Sequence, residues 1–341
     1  MNCRLILIFI LIGGFGCKPK ENNSLYRIAL WKNNCNAAIS FTFDDNSPGQ
    51  ISTALPLFDQ YNFKATFFTM FKSSPNWNGL RRAISNGHEV GSHSMTHTSF
   101  AELSVEEQGF EQLTSRDIIN DSLGAKTCLS FAYPFCDPGN KKTTQRYFIS
   151  ARGCNGQIES SLPNDLMNVS SIVCGTEGPI NSSVQFEKIA KESSSEMGWL
   201  VYLLHGIDND GGWSPLKSEV LNAHLEYLNR NRQVYWVDSY INIVKYIRER
   251  EETNILELSK SSDDITLELR NNLDSKIYDQ PLTVLRMLPD HWYNAVASQN
   301  DKLVSTSIVS NGLNRYIQFD AIPNQKIIRL TKLDTVSFQN N

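Results

Sequence analysis

The segment Ile39-Ser40-Phe41-Thr42-Phe43-Asp44-Asp45 constrains this chain most. β-forming residues alternate and stop on two adjacent carboxylates, and the turn sequence Asn46-Ser47-Pro48-Gly49 follows. The pattern predicts a strand that delivers Asp44 and Asp45 to its C-terminal rim, where α/β enzymes gather catalytic groups. Asp pairs before turns also act as turn and capping residues, because their short side chains bond nearby backbone amides. The pair therefore carries chemistry only if partners from other strands converge on it.

From Asn36 to about Arg250, strand and helix patterns alternate. Ile51–Tyr61 reads as a helix that starts late or kinks at Pro56. Ala65–Met70 is a nearly continuous apolar run, as in buried parallel sheets. Leu80–Asn86 is a short helix stopped by Gly87, and His88–Ser92 enters a third strand. Ser104-Val105-Glu106-Glu107 fits a capping box opening a helix to about Ser122. Phe131–Phe135 is a strand end stopped by Pro134, and Trp199–Leu204 is a strand ending on His205. Helices Ser218–Asn231 and Ser239–Glu249 flank the strand Val234–Val237. This alternation predicts an α/β fold with a parallel sheet or barrel over residues 36–250. Beyond Glu251 the texture changes: Ile265–Leu269 alternates with period two, and Tyr316–Ile322 and Lys326–Leu333 share its character. Residues 251–341 therefore read as a small all-β, sandwich-like domain.

A net charge of -4 and a pI near 5.9 argue against a nucleic-acid partner. No internal apolar run is long enough to span a bilayer. The start of the chain is different: Arg4, the apolar stretch Leu5–Ile12, then Gly13, Gly14, Phe15, Gly16 and Cys17 have the layout of an export signal. Small residues before Cys17 resemble a bacterial lipoprotein cleavage site, with Gly14 standing where that pattern usually has Leu. Residues 1–17 are thus expected to be a lipoprotein-type signal whose Cys17 anchors an exported protein to a membrane, and 18–35 a tether or N-terminal segment. A plain secretory signal is the alternative. Export permits disulfides, but the five remaining cysteines (Cys35, Cys128, Cys136, Cys154, Cys174) are odd in number and show no readable pairing. No Cys-x-x-Cys spacing occurs among them, which argues against a thiolate zinc site.

Two further signals bear on the Asp pair. Gly91-Ser92-His93-Ser94-Met95-Thr96-His97 places two His four apart, and on a helix they would share a face and meet one metal ion. His205, at the end of its strand, is a candidate acid or base if it shares the rim of Asp44 and Asp45. Each signal alone is weak, since such His are more often structural.

Taken together, Thr42-Phe43-Asp44-Asp45, Ala65-Thr66-Phe67-Phe68, Gly87 through His97, Tyr133-Pro134-Phe135 and Leu203-Leu204-His205 resemble the polysaccharide deacetylase family, the NodB-like or carbohydrate esterase family 4 type. Their order is the family's order. The resemblance implies a distorted (β/α) barrel with fewer than eight repeats. It implies that Asp45, His93 and His97 hold one divalent metal, zinc in most members, with a position left open for water. It casts Asp44 as general base, His205 as general acid and the Phe135 backbone N–H as oxyanion donor. Tyr133 and Trp213 are expected to meet the sugar.

The motif position that often carries a base-bracing Arg holds Ala132, and Arg152 on the next strand is the candidate replacement. Asp165 and Asp238 are candidates for the acidic partner of His205. His224 reads as packing or surface, and Asp208 and Asp210 as turn formers. The implied function is removal of acetyl groups from an acetylated polysaccharide or oligosaccharide. N-deacetylation, O-acetyl ester hydrolysis on xylan-like glycans, and an inactive carbohydrate-binding lipoprotein are the readings to separate.

Overall fold

The computed structural model describes residues 25–124 and 127–333. The expected signal peptide and Cys17 lie outside them. Of the expected tether or N-terminal segment, residues 18–24 lie outside the described residues too, and residues 25–35 are ordered: Tyr26–Ile28 forms strand β1, an edge of the C-terminal sandwich, and Trp31 is fully buried.

Eight parallel strands then build the main domain: β2 (Ala37–Asp44), β3 (Thr66–Thr69), β4 (Glu89–Ser92), β5 (Ser130–Ala132), β6 (Ser150–Arg152), β7 (Ile172–Val173), β8 (Trp199–Leu204) and β9 (Tyr235–Val237). Their order is β6-β5-β4-β3-β2-β8-β7, with β9 paired to the start of β2. The segment leading into β7 hydrogen-bonds back to β6, with Ala151 N–H donating to Leu166 O and Gly153 N–H to Val169 O. The sheet thus curls round into a distorted barrel, wrapped by α1 (Leu55–Gln60), α2 (Trp77–Ser85), α3 (Val105–Leu123), α4 (Lys141–Thr144), α5 (Ser183–Ser195), α6 (Ser218–Arg230) and α7 (Tyr240–Glu252). Pro56 does not delay the helical path: a wide turn over Gln50–Ala54 runs directly into α1, where Pro56 sits near the first position and needs no backbone partner. The α3 capping box forms as read, and Gly124 closes the helix in a left-handed conformation.

Strand alternation divides β2 between two environments. Ile39, Phe41 and Phe43 pack outward against the helix layer with Phe58, Phe67 and Tyr202. Ser40, Thr42 and Asp44 share the opposite parity and are all buried. Parallel register then fixes the rim. Phe43 pairs with Leu204, Thr69 with Ser92, and Ala132 with Arg152. Asp44, His93, Arg152 and His205 consequently stand at the C-terminal ends of neighbouring strands.

The chain continues into β10 (Asn254–Lys260), β11 (Asp264–Arg270), β12 (Leu282–Met287), β13 (Asn294–Gln299), β14 (Lys302–Leu303), β15 (Thr306–Asn311), β16 (Asn314–Ala321) and β17 (Ile328–Leu333). These form two antiparallel sheets, β1-β12-β16-β15 and β10-β11-β17-β13-β14. Ile265, Leu267 and Leu269 point inward along β11 and meet Trp292, Phe319 and Leu330 between the sheets. Helix α7 forms the seam with the barrel. Tyr246 Oη donates to Ala29 O, Arg250 reaches Leu30 O and Ser161 O, and Glu249 accepts the Gln280 N–H. No helix among the described residues is long and apolar enough to cross a membrane.

Candidate active site

Asp45, His93 and His97 converge, with one ligand atom from each within 4.8 Å of the others. His93 Nε2 and His97 Nε2 lie 3.5 and 3.4 Å from Asp45 Oδ1. Ligand atoms about 2.0–2.1 Å from a tetrahedral ion are about 3.3 Å apart, so these separations fit a small divalent cation. Asp45 Oδ1 is also buried without a hydrogen-bond partner among the described residues. Orphaned carboxylate oxygens are costly in a protein interior, and a cation removes that cost. The residues therefore fit the metal that the resemblance implies.

A helix does not bring the two His together. Residues 93–97 form a loop in which Ser94 and His97 take left-handed backbone angles, φ 68° and 57°. Glu111 on α3 pins that loop, accepting the Met95 and Thr96 N–H groups and the Thr96 hydroxyl. His93 Nδ1 lies 2.8 Å from Ala132 O. A carbonyl only accepts, so Nδ1 carries the proton and the neutral ring offers its Nε2 lone pair to the site. Burial disfavours the charged His93 ring, but Asp44 and Asp45 outweigh it and raise its pKa. Burial likewise pushes Asp45 up, yet the adjoining His93 ring and the charges of His93, His205 and His97 bring it down to about 2. An anionic Asp45 facing imidazoles is the electrostatic signature of a cation site.

Asp44 is 2 % exposed and its Oδ2 is bound by Arg152 Nη2, while Oδ1 is buried with no partner among the described residues. Arg152 is fully buried, lies over the Phe68 ring and also reaches Gly153 O and Ser171 Oγ. The guanidinium thus reaches Asp44 from β6, beside the strand carrying Ala132. Across the site, His205 Nε2 lies 3.9 Å from Asp45 Oδ2. Burial lowers the His205 pKa against the pull of Asp44 and Asp45, and its Nδ1 has no partner among the described residues. Neither expected acidic partner is there: Asp165 pairs with Lys141 at 2.6 Å, and Asp238 accepts from Trp236 Nε1 and Asn242.

Two exposed aromatics flank the opening. Phe135, 68 % exposed, stands edge-on to the His97 ring at 4.7 Å, and Trp213, 51 % exposed, stands edge-on to His205 at 4.6 Å. Tyr133 is a correction: its side chain is buried, and its hydroxyl donates to Met167 O and lies 3.1 Å from the Thr144 hydroxyl, so it faces the core rather than a sugar. His224 is packing, buried against Phe186 and Tyr202. Two residues organise the rim: Gln50, which the sequence did not single out, and Asp210, whose turn-forming role is borne out. Gln50 Nε2 donates to both Asp44 O and His205 O, tying two strand ends together. Asp210 accepts the Gly49, Ile207 and Gly212 N–H groups and so joins the Trp213 loop to the turn after Asp45. The only sequence signal for Gln50 was its place in a loop beside a strand end.

A curled parallel barrel thus brings the carboxylates of Asp44 and Asp45 together with the imidazoles of His93, His97 and His205 at its C-terminal rim. Residues 32–148 match the family model described as polysaccharide deacetylase. A crystal structure described as a polysaccharide deacetylase from Mycobacterium smegmatis shares the fold, with TM-score 0.51 and 14% identity over 66% of this chain and 94% of that one. The likeness to the polysaccharide deacetylase family thus covers residues 32–148, the first half of the barrel. A peptidoglycan-N-acetylglucosamine deacetylase of Listeria monocytogenes is 33% identical over 91 residues, 26% of this chain and 20% of that protein. A gellan lyase of a Bacillus species is 26% identical over 320 residues, 87% of this chain but 13% of the lyase. The chain thus spans a fifth or less of these two relatives' lengths.

Proposed function

We propose that this chain is a metal-dependent hydrolase that removes acetyl groups from a carbohydrate, by N-deacetylation of an N-acetylglucosamine-type polymer or oligomer. The observation that carries the reading is the Asp45–His93–His97 triangle, with the Arg152-bound Asp44 on one side and His205 on the other. Asp45, His93 and His97 would hold the ion, zinc in our reading, which when bound supplies Lewis acidity toward an acetyl carbonyl and acidifies water. Oδ1 of Asp44, without a partner among the described residues, accepts the proton of the attacking water, and Arg152 holds that carboxylate in its orientation. His205 passes a proton from Nε2 to the departing nitrogen. The Phe135 N–H donates to the oxygen that gains charge at the acetyl carbon. Trp213 offers an exposed ring beside His205 on which a sugar face can stack.

The name of the Listeria relative supports the N-acetyl reading. These same groups serve an ester, so O-acetyl hydrolysis on xylan-like glycans is the second reading. Against a purely carbohydrate-binding protein stands Arg152, which occupies Asp44 although the motif Arg is absent. Export, with Cys17 as a lipid anchor, is also proposed; a disulfide between Cys136 and Cys154 supports an oxidising compartment.

The test is acetate release by residues 18–341 from N-acetylglucosamine oligomers, peptidoglycan and acetylated xylan, with chelator, zinc-restored and Asp44→Asn controls. Chelator-sensitive release from the N-acetyl substrates alone supports the reading. Release from xylan alone replaces it with the esterase, and a protein that binds no metal removes it.

A further inference from the structure

The turn that carries the Phe135 amide has a backbone its residues do not favour. Phe135 (φ 53°) and Cys136 (φ 61°) are consecutive non-glycine residues in the left-handed region. Each such residue costs about 1–2 kcal/mol and persists only where its surroundings hold it. Two ties hold this turn. On one side Asp137 accepts the Ser99 hydroxyl and the Ala101 N–H, anchoring it to the loop beyond His97. On the other, Cys136 is bonded to Cys154, two residues after Arg152 on the neighbouring strand. The bridge therefore links the turn bearing the oxyanion donor to the strand bearing the partner of Asp44. Phe135 packs on His97, so a shift of the turn also reaches the metal side of the rim.

We propose that the Cys136–Cys154 bridge is a positioning element of the deacetylation site, fixing the Phe135 amide in its left-handed turn and in register with Arg152. This rests on the deacetylase reading above. An amide displaced by a fraction of an ångström still leaves room for substrate but stabilises the developing oxyanion less. Loss of the bridge should therefore lower kcat while substrate KM and bound metal stay unchanged. A bridge that serves stability alone would lower Tm and leave kcat of the folded enzyme intact.

The experiment compares the parent with the Cys136→Ala, Cys154→Ala double variant, both metal-loaded and assayed well below their Tm. The expected result is a kcat lower by about 10- to 100-fold, with KM and metal content within about twofold. Unchanged kcat, or a rise in KM alone, overturns the proposal. Should the double variant not fold, the folded parent is treated with a water-soluble phosphine. The phosphine cleaves the sulfur–sulfur bond to two thiols and becomes its oxide, with water supplying the oxygen and both protons. Both half-cystines are partly exposed, which allows the attack. The same kcat criterion then applies. If the parent itself releases no acetate, the deacetylase reading fails, and the bridge is judged by amide hydrogen exchange over residues 134–139. Exchange at least about tenfold faster without the bridge keeps the positioning role, since local opening sets that rate; unchanged exchange removes it.

Discussion

The barrel rim and the sandwich interior handle polarity in opposite ways. At the rim, Asp44, His93, Arg152 and His205 are all buried, and Asp44 Oδ1, Asp45 Oδ1 and His205 Nδ1 lack partners among the described residues. Between the sandwich sheets the cluster is apolar, from Ile265 and Leu267 to Trp292, Phe319 and Leu330. Burying charge works against folding unless it is paired, whereas burying Leu and Trp drives it. The rim thus holds groups whose arrangement suits chemistry better than stability, and the sandwich holds groups whose arrangement serves packing. Substitutions in the two regions should separate activity from stability.

The largest expected effect is on the metal triangle. Asp45→Ala or His93→Ala should abolish metal binding and lower acetate release by more than about 10³-fold, equivalent to about 4 kcal/mol. Elemental analysis beside the assay checks this, and metal retained at full stoichiometry would break the assignment. Asp44→Asn should retain the metal yet lose about 10²- to 10⁴-fold in kcat, the range of a general base. It also leaves the buried Arg152 guanidinium without its counter-ion, so unfolding stability should fall by about 3 kcal/mol. An Asp44→Asn enzyme with near-parental turnover would return the carboxylate to a structural role. Leu267→Ala in the sandwich reverses the pattern. It should cost about 2–5 kcal/mol in denaturant unfolding with kcat of the folded protein unchanged. A matching drop in kcat would mean that the sandwich shapes the site.

How much of this was legible depends on whether the signal is local. Strand alternation in Ile39–Asp44 and the apolar run at Ala65–Met70 describe their own surroundings, and a parallel sheet or barrel followed from them, the distorted barrel being what the family resemblance implied. The period-two pattern of Ile265–Leu269 announced the antiparallel sandwich in the same way. Helix α5 was missed although Ser182 and Gln185 form a capping box that the sequence displays. The convergence of Asp44, Asp45, His93, His97 and His205 was visible only because several strand ends carried such residues in one order. The geometry between His93 and His97 was not, because a left-handed loop held by Glu111 replaces the helix that their spacing evokes. Tyr133 was misdirected for a similar reason: side-chain direction at a strand end follows from the backbone after it. The Cys136–Cys154 pairing is a contact across β5 and β6, and nothing in the spacing of five cysteines encodes that adjacency.

The seam between the two regions supplies the smallest effect. Glu249 is buried on α7, with Oε2 accepting the Gln280 N–H and Oε1 unpartnered among the described residues. Burial pushes its carboxyl from 4.5 up to about 7; the Gln280 amide and Lys245 oppose this, and Asp279 adds to it. Because the folded pKa is raised, the folded protein keeps a proton that the unfolded chain loses between pH 4.5 and 7. Stability should therefore decline as pH rises through that window. Glu249→Gln preserves the acceptor for Gln280 and removes the charge. Its unfolding midpoint should match the parent near pH 4.5 and exceed it near pH 8. Parallel profiles for the two proteins would place the pH dependence elsewhere.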